Sequence, residues 1–450
     1  MYGKLTQTCS SHSKRKMDIL ILFNVLFFWS LYTKPFQLAT SELLSTFFPT
    51  WLWQGKMWAQ WRIPKYEPCF WLNAHVHPVL STYYPGSILS SLLGSLTGLD
   101  TAFKILVYTI LGHYLWASVG WYVLLAHYFE PTTATIGAIL FTYQAYHIKQ
   151  QPCIVYTLAW LPWIAIIPWL GISMMLLAGY YPLAMYLLPV GLLLTKDLVG
   201  VLAGFLIGLI QIIPFIRYLP KTIRSHSKLE PSVGPWERNF SIGVVPIVIL
   251  TYTLKPVYLT ILLPIVTSKL LARFLPRVTQ RAWILSAYLA IYFCLVAIRQ
   301  LNLNGLQLNM LLVLVCLDQW LWHRQLIPTR PYCELQAKPS LAFNNRLTQY
   351  LSKHLGSHRV SGLPFPLFTG IINGFRTLGY SGGMQLKLMA KWRNDNNPNG
   401  SGMHDYFRGG NNYDSLTRHN VKFSFTRKRL DWPSTGIKFL YRNPSDLLQG

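Results

Sequence analysis

The chain has 450 residues, 52% of them hydrophobic and only 12% charged. A soluble domain carries roughly a quarter charged residues, so this deficit, with 17 Trp and 26 Tyr, argues against a soluble globular protein and for an integral membrane one. The formal net charge of +25 sits mainly between apolar runs and in the last third. Membrane lipids with anionic headgroups, rather than nucleic acid, are therefore the expected partners, although a biased genome would raise the charge equally without any function.

In chain order, residues 1–16 form a basic N-terminus ending in Lys14, Arg15 and Lys16. The first apolar run, "MDILILFNVLFFWSLYTKPF", matches one crossing, which needs ~20 residues. A basic stretch before an apolar core also suits a signal peptide. No small-x-small cleavage site follows, so the run is expected to be an uncleaved anchor. The positive-inside rule then keeps the N-terminus cytoplasmic and puts residues 35–86 outside a cell inner (cytoplasmic) membrane. It is split further on: the basic stretches 217–228 and 268–281 look cytoplasmic by charge, whereas counting all eleven apolar runs as crossings puts both outside. Further apolar runs cover about 102–127, 131–147, 153–170, 171–180, 182–195, 198–217, 240–253, 256–268, 282–299 and 304–322. Several fall below the ~17 residues of a usual span. "GISMMLLAGYYP" reads either as a short tilted helix or as a re-entrant turn buried among other helices. The expected fold is an α-helical integral membrane protein of about 10–12 membrane helices over residues 17–323.

Residues 324–450 contain no run that could span. "HRVSGLPFPLF", "NVKFSFTRKRL" and "TGIKFLYRN" read as strands, and "NDNNPNGSG" and "RGGNNYDS" as loops. A small α+β soluble domain outside the membrane is expected there, though one crossing more or fewer would reverse its side. The cysteines, Cys9, Cys69, Cys153, Cys294, Cys316 and Cys333, show no CxxC spacing, disulfide framework or zinc signature. No Walker loop, GxGxxG or HExxH occurs.

The stretch 39–86 is too polar to span and too rich in Trp, Tyr and Pro to be a plain linker. It begins with "SELLSTFFPTWLWQGK" and continues as "RIPKYEPCFWLNAHVHPVLSTYYP". This resembles the first outer loop of the YfhO-type multipass membrane family of bacteria, itself similar to the GT-C class of glycosyltransferases. That family carries an acid, a Phe-Pro pair, "P-x-W-N-P" and "F/Y-Y-P". Further pieces resemble the family in order. They are "AWLPW" (159–163), "LLAGYYPLAMY" (176–186), "IGLIQIIPF" (207–215, as "Q-x-x-P"), "FSIGVVPIVIL" (240–250) and, in the last third, "NGFRTLGYSGGMQLKLMAKW" and "LTRHNVKFSFTRKR". The chain departs from the pattern at several places. Glu42 stands where the family has Asp, after Ser41 in place of Gly. Glu67 takes the place of the "W-N-P" asparagine, and the outer loop between Leu219 and Phe240 is trimmed. A closing helix is also lacking.

The resemblance implies transfer of a sugar from a polyprenyl phosphate to a cell-envelope glycan or lipid at the outer face. That chemistry needs a carboxylate to orient or deprotonate the acceptor and cations to hold the phosphate as its charge develops. Glu42, among Phe47, Phe48, Trp51 and Trp53, suits the first role. Partial desolvation would make it a stronger base; otherwise it is a loop acid paired with Lys34 or Lys56. Glu67 is a second catalytic candidate, with Lys65 as a structural partner. Lys56, Arg62 and Lys65 are candidate phosphate donors, against headgroup contact at a membrane edge. Arg217, ending the "Q-x-x-P" helix, suits a bidentate grip on an interfacial phosphate. Gln211 in that helix reads as an interhelical hydrogen-bonding residue rather than a ligand. His75 and His77 would share one side of a strand; without a third ligand, phosphate or acceptor contact is expected rather than a metal. The resemblance implies a polyprenyl-phosphate sugar as donor and leaves the cofactor unknown: no metal signature occurs, and GT-C-like enzymes differ in metal need. The alternative is a non-catalytic, degenerate relative that binds or translocates lipid-linked glycans. A secondary transporter would show internal symmetry, which the sequence lacks.

Overall fold

The computed structural model describes residues 11–38, 43–64, 81–148, 152–195, 197–218, 242–253, 284–327, 338–343, 346–356, 359–361, 373, 376–378, 421–426 and 438–441. The chain packs as two compact units. The first comprises Met1–Lys34, Val107–Ile210 and Lys228–Pro328, and the second Pro35–Leu106, Gln211–Ser227 and Thr329–Gly450. Most described elements are helices. Three are long and apolar enough to cross a membrane: Leu99–Leu125, Leu198–Arg217 and Gly305–Leu326.

The first unit begins with α1 (Ser11–Phe27) and a short α2 (Trp29–Thr33). Its centre is α6 (Pro131–Tyr143), in which every residue from Thr133 to Tyr143 is buried. A helix apolar all round has no face for water and belongs inside a bundle. The expected span over 131–147 is interrupted, because Gln144 adopts extended backbone (ψ 155°) and separates α6 from α7 (Ala145–Ile148). The run 153–170 breaks similarly into α8 (Pro152–Ala159) and α9 (Leu161–Ile166), and α10 (Pro168–Leu177) follows. Pro162 and Pro168 open these last two, where a missing N–H costs nothing. Next come α11 (Tyr181–Leu194), α12 (Leu198–Tyr218), α13 (Val244–Tyr252), α14 (Ile284–Gln300) and α15 (Gly305–His323).

Helices α1, α6 and α15 run parallel. At one end Lys16 Nζ donates to Asn309 Oδ1 (3.3 Å). Burial pulls the Lys16 ammonium below its ordinary value, and the nearby Glu130, just before α6, pulls it back up. Towards the other end Asn24 Nδ2 donates to the Tyr143 hydroxyl (2.8 Å), and Tyr32 donates to Asn24 Oδ1 (2.9 Å). There His323 Nδ1 lies 2.8 Å from the Tyr143 carbonyl and 2.7 Å from Gln319 Oε1. Both neighbours are acceptors, so Nδ1 carries the proton. Phe23, Phe27 and Phe28 surround the Tyr143 ring with centroids 4.9–6.0 Å away.

Asp318 supplies the second tie. Its two carboxylate oxygens accept the N–H groups of Val244 (3.0 Å) and Val245 (3.1 Å), and Gln319 Nε2 donates to the Ile242 carbonyl (2.9 Å). The first N–H groups of α13 have no partner inside their own helix, so a carboxylate from α15 closes them. The backbone at Gly243 (φ +96°) allows this approach, and a Cβ there would run into the Asp318 carboxylate.

The second unit holds a turn of π-helix (Leu43–Phe47) that feeds α3 (Phe48–Ala59), then α4 (Pro85–Ser95). It also holds the first turns of α5 (Leu99–Leu125), the last turns of α12, and α16 (Pro339–Phe343) and α17 (Arg346–Leu355). Four short strands follow: β1 (Arg359–Ser361), β2 (Arg376–Leu378), β3 (Val421–Thr426) and β4 (Lys438–Tyr441). They form one parallel sheet in the order β2-β1-β3-β4. Three of them fall in the segments expected to be strands, and β2 was not anticipated. Helix α17 turns Thr348, Leu351 and Leu355 inward and leaves Gln349, Ser352 and Lys353 exposed, the spacing of a one-sided helix.

Candidate functional site

The candidate site is framed by α3 and α4 in the second unit. These helices approach at backbone distance. A Cβ on Gly55 would run into the Ser91 carbonyl, and one on Gly94 would meet the Trp51 ring at 2.5 Å. Trp51 Nε1 donates to Ser90 Oγ (3.3 Å), which donates to the Gly86 carbonyl (2.7 Å). Pro49 and Pro85 open the two helices, so the "FFP" and "YYP" segments are helix-start devices as well as sequence markers.

The turn between them is tied down by side chains. Gln54 Nε2 donates to Thr82 Oγ1 (3.0 Å), and both residues are buried. The Tyr83 N–H donates to Gln211 Oε1 (3.3 Å) across 128 residues of chain. Gln211 is fully buried, and its side-chain oxygen accepts from a backbone amide of this turn. The Trp58 ring meets Tyr83 edge-on with centroids 6.1 Å apart, and Trp58 Nε1 is a buried donor without a hydrogen-bond partner among the described residues. Ser81 takes a left-handed backbone (φ 41°), an uncommon conformation for a side-chain-bearing residue.

Phe48, fully buried, anchors the other side. It packs on Phe103 of α5 (5.3 Å) and on Phe343 of α16 (6.1 Å). Beside it the Asp100 carboxylate accepts the Ser340 N–H (2.9 Å) and the Ser340 hydroxyl (2.8 Å). The start of α3, the start of α5 and the first helix after residue 338 therefore form one cluster.

Of the sequence-derived site residues, Glu42, Lys65, Glu67, His75 and His77 lie outside the described residues. Lys56 projects from α3 to the exterior, Arg62 follows the end of that helix, and Arg217 lies in the last turn of α12; all three are exposed. None makes an ion pair or side-chain hydrogen bond with a described residue, so their ammonium and guanidinium groups face outward. No group of three or more His, Cys, Asp or Glu capable of holding a metal occurs among the described residues. Three other histidines have local partners. His113 Nδ1 lies 2.6 Å from the Thr109 carbonyl, His127 Nδ1 lies 2.7 Å from that of Val123, and His147 Nε2 lies 2.7 Å from the Tyr288 hydroxyl.

Sequence reasoning missed Gln54, Thr82 and Trp58. A usable signal existed for Gln54, an amide in the middle of "FPTWLWQGKMW", where a buried polar group requires a partner. Nothing local pointed to Thr82, whose role depends on α3 folding back over it.

No family model, no curated protein and no solved structure matches the chain. The fold and cluster define a predominantly helical protein with three membrane-competent helices, which bear an outward-facing apolar surface. In α12, Leu198, Leu202, Leu206, Ile210 and Ile213 are exposed, and in α15 so are Leu306, Met310, Val313, Leu317 and Leu321. Such continuous apolar faces fit lipid rather than water.

Proposed function

We propose that this protein is a multispan membrane glycosyltransferase of the YfhO and GT-C type. It moves a sugar from a polyprenyl phosphate to a cell-envelope glycan or lipid at the outer membrane face. The observation that carries the reading is the Tyr83–Gln211 hydrogen bond. It joins the "YYP" turn to the "Q-x-x-P" helix, two motif pieces that only the family resemblance links in sequence. The "FFP" helix packs against the same turn through Gln54 and Thr82.

In this reading the Glu42 carboxylate takes the proton of the acceptor hydroxyl. The acceptor oxygen bonds to the anomeric carbon, the bond from that carbon to the phosphate oxygen breaks, and polyprenyl phosphate leaves with the electron pair. Glu67 helps to orient the acceptor. Lys56, Arg62, Lys65, His75, His77 and Arg217 supply the donors for the phosphate and sugar.

Sidedness supports an outer-face site that includes the C-terminal domain. Asp100 and Ser340 touch, as do Phe48 and Phe343, which supports a common side for segments 43–64 and 338–355 in this reading. Independently, His323 ends α15 at the opposite end of the parallel helices from Lys16. If Lys14, Arg15 and Lys16 are cytoplasmic, this reading puts the chain after His323 outside.

The test is transfer of labelled sugar from polyprenyl phosphate in membranes carrying Glu42→Gln. Loss of transfer with normal protein level is expected, and unchanged transfer refutes the role. The outward orientation of Lys56, Arg62 and Arg217 favours a second reading, a binder of lipid-linked glycans. It predicts donor binding by the wild-type protein with no transfer at all.

A further inference from the structure

Helix α3 ends in an unusual way. The Trp61 N–H donates to the Trp58 carbonyl (2.9 Å), and the Arg62 N–H donates to the Met57 carbonyl (2.9 Å). This pair of bonds is the Schellman helix stop, whose residue after the cap adopts a left-handed backbone and is usually Gly. Here that residue is Trp61, at φ 55°. Its side chain, the largest of the twenty, is 96% exposed, and the next two residues, Arg62 and Ile63, are exposed as well. A strained backbone that presents a bare indole to water gains nothing in the isolated protein, because no described packing or side-chain hydrogen bond rewards it.

The level of this turn relative to the membrane is readable from α12. That helix has the length and apolarity of a span, and its apolar stretch closes at Arg217. Gln211 lies six residues earlier, roughly 9 Å deeper at ~1.5 Å per residue. Through Gln211 the Tyr83 backbone is held at that depth, and the Trp58 ring rests against Tyr83. Trp61 follows Trp58 by one turn.

We propose that Trp61, Arg62 and Ile63 form an interfacial anchor seated in the outer leaflet, with phospholipid headgroups as its partner. The indole occupies the headgroup boundary, where its apolar body and polar N–H are both accommodated. Ile63 reaches the acyl region, and the Arg62 guanidinium pairs with anionic lipid phosphate. The anchor fixes the end of α3 at the bilayer surface. It depends on the membrane reading alone and not on sugar transfer.

The test is a nitroxide on Trp61→Cys, in a background with the native cysteines replaced, reconstituted in phosphatidylglycerol-containing vesicles. Collision with lipid-soluble oxygen is expected to exceed collision with a water-soluble nickel complex, giving a depth of roughly 5–10 Å into the headgroup and acyl boundary. A label as accessible to nickel as one on an aqueous loop overturns the proposal. Should Trp61→Cys not insert, Ile63→Cys carries the same label and the same two outcomes. Sugar transfer need not be measured, so failure here leaves the catalytic reading untouched, and the converse also holds.

Discussion

The Tyr83 backbone N–H and the Gln211 side-chain oxygen lie 3.3 Å apart, although 128 residues separate them. This bond fastens the turn before α4 to a membrane-competent helix. An unpaired buried amide costs about 1–3 kcal/mol. Gln211→Leu should therefore destabilise the protein by about that amount, whereas Gln211→Glu, which keeps an acceptor, should cost less. Thermal unfolding in detergent checks the order; equal losses would mean that the oxygen is not the working group.

The close crossing of α3 and α4 depends on Gly55. Even a methyl group there meets the Ser91 carbonyl, a backbone atom that cannot swing aside. Gly55→Ala should cost about 1–3 kcal/mol through overpacking. Gly112, with open space around its Cβ position, should tolerate Ala and serves as the control. Comparable melting temperatures for the two variants would contradict the crossing.

Asp318 is a buried carboxylate whose only described partners are the two leading amides of α13. Asp318→Leu should destabilise the protein, because it removes the acceptor of both leading amides of α13. Asp318→Asn keeps one acceptor oxygen and should recover part of the loss. Hydrogen exchange of the Val244 and Val245 amides reads this directly and should accelerate most in the Leu variant.

Sidedness is accessible in whole cells or spheroplasts. In a cysteine-free background, single cysteines at exposed Lys56 and Gln349 should react with a membrane-impermeant maleimide from the outside. One at Arg15 should react only after permeabilisation. Opposite behaviour of positions 56 and 349 would break the contact between the first outer loop and the chain after residue 338.

Much of the helical layout was legible beforehand. The apolar runs at 102–127, 198–217, 282–299 and 304–322 correspond to α5, α12, α14 and α15 to within a few residues. Their signal is local, since apolar length alone decides whether a helix can cross. The interruptions were less legible. Gln144 breaks the run 131–147 with no Pro or Gly next to it, so the local sequence carries no breaker signal. The pairing of Asp100 with Ser340, and of Asp318 with the start of α13, left no trace in either partner's own neighbourhood.

Composition alone made this chain a membrane-type protein, because so few charges over so long a chain cannot cover a water-facing surface. Local sequence also set where most helices begin, through proline at their first turns. Tertiary structure decided which polar residues tie the fold together. Gln54, Gln211, Asp318 and His323 look alike as isolated polar residues in apolar runs, and only their partners distinguish them. Those partners come from distant segments, since a buried hydrogen-bonding group must be satisfied wherever folding happens to bring a match.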